Sequence, residues 1–285
     1  SIVGGVTTPR FDLLEGPLTH YSRTVVDDGV TTRETTTYRL AIPWFRWLFA
    51  WPVARTLRTR RIPTGGAQPW WAPPDRLEPR QAMLLGLLAA ASMSGAFPNT
   101  LFTQTVNYAA KEFDVGEFGQ GVGGVVVRAG IVFALPVAFL ADRAGRRRMM
   151  VLVAWLAPII SALGALAPSF PALVATQAVG RPMGLALDLL IAVAVTEEMP
   201  RNSRAYALSV LAMASGLGAG IAVIGLPLAD IGVAGWRLVY LLALIWLVVA
   251  YDVKRRVPET RRFQRPHVTA PPLNKARFAQ IAAVS

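Results

Sequence analysis

Six apolar runs leave this chain few ways to fold. They cover residues 82–103, 119–140, 149–167, 172–196, 205–226 and 233–251. Each is near the ~20 residues a helix needs to cross the hydrocarbon core of a bilayer. Helices are the expected spanning form, because in lipid a helix satisfies its own backbone hydrogen bonds. Pro136, Pro158 and Pro182 lie inside these runs, where neighbouring helices can make good the lost bond. Composition agrees, with 53% hydrophobic and 16% charged residues against about 25% charged in a soluble domain. The expected fold class is an all-α membrane protein with six transmembrane helices.

The turn between the second and third runs reads Asp142-Arg-Ala-Gly-Arg-Arg-Arg148. Spans joined so tightly must double back, and Gly145 suits the break. Arg143, Arg146, Arg147 and Arg148 face a single acid, and this excess predicts a cytoplasmic turn. The segment after the sixth run is also basic, with Lys254, Arg255, Arg256, Arg261, Arg262 and Arg265. The loop after the first run sets Lys111 against Glu112, Asp114 and Glu117. The loop after the third has no charge, and Asp230 precedes Arg237 after the fifth. The even-numbered loops and the amino segment are therefore expected in the cytoplasm of a bacterial inner (plasma) membrane protein. The loop after the fourth run is balanced and does not discriminate.

The net charge of +12 does not imply nucleic acid. The arginines cluster at span ends and in the termini, where they match lipid headgroups. The chain has no Cys, and its two histidines, His20 and His267, lie outside the spans. Disulfides and thiolate chemistry are excluded. The spans hold no His, no Cys and no carboxylate cluster, so neither an enzyme nor a metal site is expected. No phosphate-binding Gly-x-x-x-x-Gly-Lys-Ser/Thr signature occurs, and no cofactor is expected. The chain begins Ser-Ile-Val without Met, which points to a fragment or a processed product.

The basic turn resembles the loop signature of the major facilitator superfamily, Gly-x-x-x-Asp-Arg-x-Gly-Arg-Arg between spans two and three. Asp142, Arg143, Gly145, Arg146 and Arg147 fall on the pattern, and Ala138 stands where the family usually has Gly. The resemblance implies two halves of six spans alternating access around a midplane site. It covers the first half only, over about residues 80–265. Residues 276–285 read as the first turns of a seventh span, too few to cross. Three regions are expected: a cytoplasmic extension (1–80), a six-helix half (81–253), and a basic loop with the start of a seventh span (254–285). The implied partners are the bilayer, a small solute, protons, and a second six-span half or a second chain.

Span four carries the most informative polar set. Arg181 lies between Gly180 and Pro182, and Asp188 follows seven residues on. Seven residues return almost to the same helix face, about 10 Å along. Ionisable groups at such depth are expected to face a cavity or a partner. Arg181 is similar to the arginine of the superfamily's fourth-span pattern Arg-x-x-x-Gly-x-Gly, although Gly184 falls one residue early and Leu187 replaces a glycine. The resemblance implies a part in proton coupling for Arg181. Arg128 lies about 14 Å into span two, at similar depth. Two such arginines point to an anion, either a carboxylated or phosphorylated substrate or a protein carboxylate; a purely structural pair is the alternative. Asp188 is the candidate proton carrier. Gln177, one turn before Arg181, and Asn99, beside Pro98, are candidate solute contacts. Gln104 and Asn107 fit a wet pore mouth equally well.

The segment Thr196-Glu-Glu-Met-Pro-Arg-Asn-Ser-Arg204 resembles the family's loop after span four. There Glu197 or Glu198, with Arg204, is expected to latch onto the arginines after span two. In span five, Gly216 and Gly220 have the spacing that permits close helix approach, within a set that includes Gly218, Gly225 and Pro227; Gly180 and Gly184 share that spacing. Ile221 occupies the Pro position of the family's drug/proton antiporter motif, which weighs against that activity. The segments 235–240 and 257–262 resemble the start and exit of the sixth span, the latter frequent among sugar and metabolite porters.

Residues 1–80 are different material. Two strands, 21–26 and 30–40, read as a hairpin with Asp27-Asp28-Gly29 at its turn, and a lone hairpin needs a supporting surface. Trp44, Trp47 and Trp51 then alternate with Arg46, Arg55, Arg58, Arg60 and Arg61. That pattern fits a helix in the headgroup layer or one packed on its own small domain. Residues 64–79, with Trp70 and Trp71, read as a linker. The function expected is proton-coupled secondary transport of a sugar or organic-anion metabolite. The alternatives are a drug/proton antiporter and a non-transporting membrane anchor in which residues 1–80 do the work.

Overall fold

A computed structural model describes residues 17–27, 31–58 and 72–258, together with the backbone of three short strands within the first twelve residues. The hairpin turn at 28–30, Arg60, Arg61, Trp70, Trp71, His267 and the start of a seventh span lie outside the described residues, as do the basic positions after Pro258.

Among the described residues, six helical stretches are long and apolar enough to cross a membrane. They are span one Pro79–Glu112, span two Glu117–Ala144, span three Arg146–Leu166, span four Phe170–Glu198, span five Arg201–Ile231 and span six Trp236–Arg256. Each of the six expected runs has its helix. Span one outgrows its apolar run, reaching 34 residues or about 51 Å. The hydrocarbon core is about 30 Å thick, so its polar ends, with Gln81 and Asn107, stand clear of the lipid.

The sequence accounts for the breaks. Span two turns 3-10 over Gly130–Phe133, just before Pro136, whose ring clashes with the carbonyl four residues back. Gly145 alone joins spans two and three, with φ 103° and ψ 131°, a backbone open to glycine but not to ordinary L-residues. Ser169 caps span four by accepting a hydrogen bond from the Ala172 amide (3.4 Å), with Pro171 in the first turn.

Span one is the centre of the bundle. It packs chiefly along spans four and five, and also touches spans two, three and six. Spans two and five are the most exposed. Glycines set the closest crossings. A Cβ on Gly184 would lie 2.5 Å from the Gly95 carbonyl oxygen, one on Gly130 2.3 Å from that of Ala178, and one on Gly218 2.2 Å from that of Met93. Spans one and four, two and four, and one and five thus meet backbone to backbone. Gly216 and Gly220, expected to mediate helix packing, have nothing within 4 Å; span five meets the backbone of span one at Gly218, on another face. Gly180 and Gly184 do pack, against different neighbours, Ser161 and Gly95.

The amino-terminal hairpin is present, with its first strand longer than the sequence pattern and its second shorter. Its strands β4 (Leu18–Asp27) and β5 (Thr32–Leu40) are antiparallel. A third strand, β3 (Arg10–Asp12), adds to β4, which supplies the extra pairing a two-stranded ribbon lacks. Two shorter strands, β1 (Ile2–Val3) and β2 (Val6–Thr7), pair with one another. Helix α1 follows at Arg46–Arg58. The chain turns into it at Trp44, a non-glycine residue with φ 64°, whose indole Nε1 donates to Asp252 Oδ2 at the end of span six (3.1 Å).

Candidate functional site

Span four carries the candidate site, and its crossing with span one organises it. Gly95 and Gly184 bring the two backbones together with no side chain between them. Toward the arginine-rich end, Ser92 Oγ donates to Asp188 Oδ1 (3.1 Å) and also approaches the Leu211 carbonyl of span five (3.4 Å). One hydroxyl therefore ties the carboxylate to two other spans. Among the described residues no arginine or lysine forms an ion pair with Asp188.

On the other side of the crossing lie Asn99 and Arg181. The Asn99 side-chain oxygen is buried next to Gly184 and, among the described residues, accepts no hydrogen bond. Arg181 lies eleven residues after Phe170 in span four, and Arg128 eleven after Glu117 in span two. Both are about 16 Å from the same end of the bundle, as their positions in the sequence predict. Among the described residues no carboxylate pairs with either arginine. Arg128 is exposed, while Arg181, Asp188 and Asn99 are partly exposed.

Gln177 is placed differently. It is fully buried, and its Nε2 donates to the Ser161 carbonyl of span three (3.3 Å) and to Thr176 (3.2 Å). Gly164 lies against both its Nε2 and the Tyr240 ring, and Tyr240 in turn shares a hydrogen bond with buried Thr105 (3.1 Å). This polar cluster joins spans one, three, four and six inside the half-bundle. Gln104 and Asn107 are exposed near the end of span one.

The charged turns form a network at the arginine-rich end. Arg146 pairs with Asp142 (3.2 Å) and with Glu197, so the loop after span four does reach the turn after span two. Arg147 instead donates to the Val257 and Lys254 carbonyls (2.6 and 2.8 Å), capping span six. Arg143 stacks on Phe139. Glu198 meets Arg80 at the start of span one (3.7 Å), and Arg204 donates to the Met199 carbonyl (3.4 Å). Of the three expected latch residues, Glu197 forms an ion pair with the arginine turn. Asp75, in the segment read as a linker, accepts from the Asn202 amide and side chain (3.2 and 3.1 Å), and its own amide donates to Ser203 Oγ (2.9 Å).

At the opposite end, Glu112 accepts from Trp236 Nε1 (2.6 Å) and Arg237 (2.7 Å), while Arg237 also donates to the Ala165 carbonyl (2.7 Å). This clamp holds spans one, three and six together. Nothing in the sequence around Trp236 and Arg237 names this partner. Glu112 lies more than a hundred residues away in a loop that reads simply as acidic.

The helices and side chains together define a polytopic membrane bundle, with a few ionisable groups at mid-depth and a charged turn network at one end. The chain belongs to the major facilitator superfamily: a family profile described as Major Facilitator Superfamily matches residues 82–274. Two solved structures share the fold. Both are of a bacterial homolog to the human lysosomal transporter Spinster. Its inward-facing, occupied conformation matches with a TM-score of 0.53 and 21% identity, over 65% of this chain and 46% of that one. The inward-facing, unoccupied conformation gives 0.52 and 20%, over 73% and 50%. This chain spans about half the length of the structures it matches. No curated protein matches it significantly.

Proposed function

We propose that this chain is one half of a secondary transporter that moves a small organic anion by alternating access, coupled to protons through Asp188. The observation that carries the reading is the pair Arg128 and Arg181, two guanidinium groups at one depth within the spans, with no carboxylate paired to either among the described residues. Charges at such depth are costly and are retained where they meet a substrate, an ion or a partner. A carboxylated or phosphorylated solute supplies the missing countercharge. Asp188, held by one hydroxyl and, among the described residues, by no cation, is a carboxylate on which a proton can reside when the site opens.

The arginine-rich end is the cytoplasmic one by the positive-inside rule, which places the amino-terminal extension in the cytoplasm of a bacterial inner membrane. The open faces of spans two and five, including Gly216 and Gly220, are suited to close approach by a second six-span half or a second chain. Arg146 and Glu197 act as a gating contact that forms when the cytoplasmic side is closed.

The test is uptake into proteoliposomes by the complete transporter, sorted by solute charge and driven by an imposed proton gradient. Anions are expected to be taken up in preference. Arg128→Gln and Arg181→Gln should each remove that preference, and Asp188→Asn should remove gradient-driven accumulation while exchange persists. Selective uptake of neutral or cationic solutes, or full accumulation by Asp188→Asn, refutes the proposal.

A further inference from the structure

Helix α1 buries none of its residues. Trp47 is 75% exposed and Trp51 67% exposed, an unusual placement for the largest apolar side chains of a folded chain. With Leu48 they follow helical spacing and form one stripe. The stripe runs on into Arg55, whose guanidinium lies over the Trp51 ring, 5.3 Å from its centre, and Arg58. The helix contains three arginines and no acid.

Where the helix starts is fixed by contacts with the bundle. The Trp44 indole is bonded to Asp252, one turn from the end of span six. Pro43 and Ile42 press on Gly86, two turns into span one. Both anchors lie at the arginine-rich end, where spans one and six leave the hydrocarbon. The exposed indoles therefore begin at headgroup height. Indole rings favour that layer, apolar in body and polar at the N–H, and arginines beside them favour anionic headgroups.

We infer that α1 is a lipid-binding helix lying in the headgroup layer at the arginine-rich end of the bundle, with Trp47, Leu48 and Trp51 in the lipid and its arginines on anionic phosphates. The occupant is the bilayer itself. The inference rests on the spans and not on transport, so its failure leaves the carrier proposal standing.

The experiment uses the full chain in nanodiscs of phosphatidylcholine, with and without phosphatidylglycerol, carrying bromines near the headgroups. The fluorescence read is the emission of the wild type minus that of Trp47→Ala/Trp51→Ala, which isolates two of the eight tryptophans. Both positions are exposed, so the double variant is expected to fold. The difference emission should lose most of its intensity in brominated bilayers, more so with phosphatidylglycerol, and Arg46→Ala/Arg55→Ala/Arg58→Ala should abolish that added loss. Difference emission untouched by bromine and quenched by aqueous iodide would place α1 in water or against a soluble partner and overturn the inference. Equal quenching in the two lipid mixtures would overturn the anionic preference on which it depends.

Discussion

Alanine substitution along one face of span five and then another gives an internally controlled test of the packing. Gly218, Gly216 and Gly220 sit on one helix within two turns. A Cβ at Gly218 would lie 2.2 Å from the Met93 carbonyl oxygen and 2.6 Å from its Cα, whereas Gly216 and Gly220 have nothing within 4 Å. Ordinary contact begins near 3.4 Å, so Gly218→Ala must push spans one and five apart by roughly 1 Å, since backbone cannot rotate away as a side chain can. Overpacking on this scale costs about 1–3 kcal/mol. On the scaling of soluble domains of similar size, that is a fall in Tm of roughly 2–12 °C. Gly216→Ala and Gly220→Ala meet no obstacle and should gain up to about 1 kcal/mol from helix propensity. The assay is intrinsic tryptophan scanning fluorimetry of this chain in one detergent. Equal melting of all three variants would refute the crossing geometry. Loss at Gly216 or Gly220 with none at Gly218 would show that span five is rotated about its axis.

Other perturbations probe the two ends. Glu112→Ala leaves the Trp236 N–H and part of Arg237 without an acceptor, at a cost of about 1–3 kcal/mol, and the same melting assay should show it; an unchanged Tm would mean that the clamp contributes nothing. Gly145→Ala forces a side chain onto φ 103°, at about 1–3 kcal/mol, visible as lost monodispersity and a lowered Tm, whereas wild-type melting would indicate a different turn. A double-mutant cycle on Arg146 and Glu197 should return a coupling of about 0.5–3 kcal/mol, since their side chains are only 18% and 9% exposed; additive losses would mean that the two do not meet.

What could be read from the sequence was local. The length of each apolar run announced its helix, because crossing lipid sets a minimum length whatever the partners. The depth of Arg128 and Arg181 followed from counting residues, and Gly145 followed from its place between two spans. What could not be read was which face meets which. Gly216 and Gly220 have the right spacing for a crossing and lie bare, while Gly218 makes the contact, since the rotation of a helix is decided by its neighbours. Gln177 has the spacing from Arg181 of a cavity residue, yet it is fully buried and bonded to the Ser161 carbonyl. Trp44 with Asp252, and Glu112 with Arg237, join residues far apart in the chain, and nothing in either local pattern names the other. The extra strand β3 was equally hidden, because three residues are too few to show alternation.

The contact between Gly95 and Gly184 has a mechanical consequence. With peptide groups touching and no side chain to change rotamer, there is little slack by which the two helices could slide or part. Any movement of the half-bundle must carry both together as one stiff beam. Asp188 and Arg181 then ride on that beam at a fixed separation, and in the proposed carrier any change in their contact with water has to be supplied by the helices that swing against it.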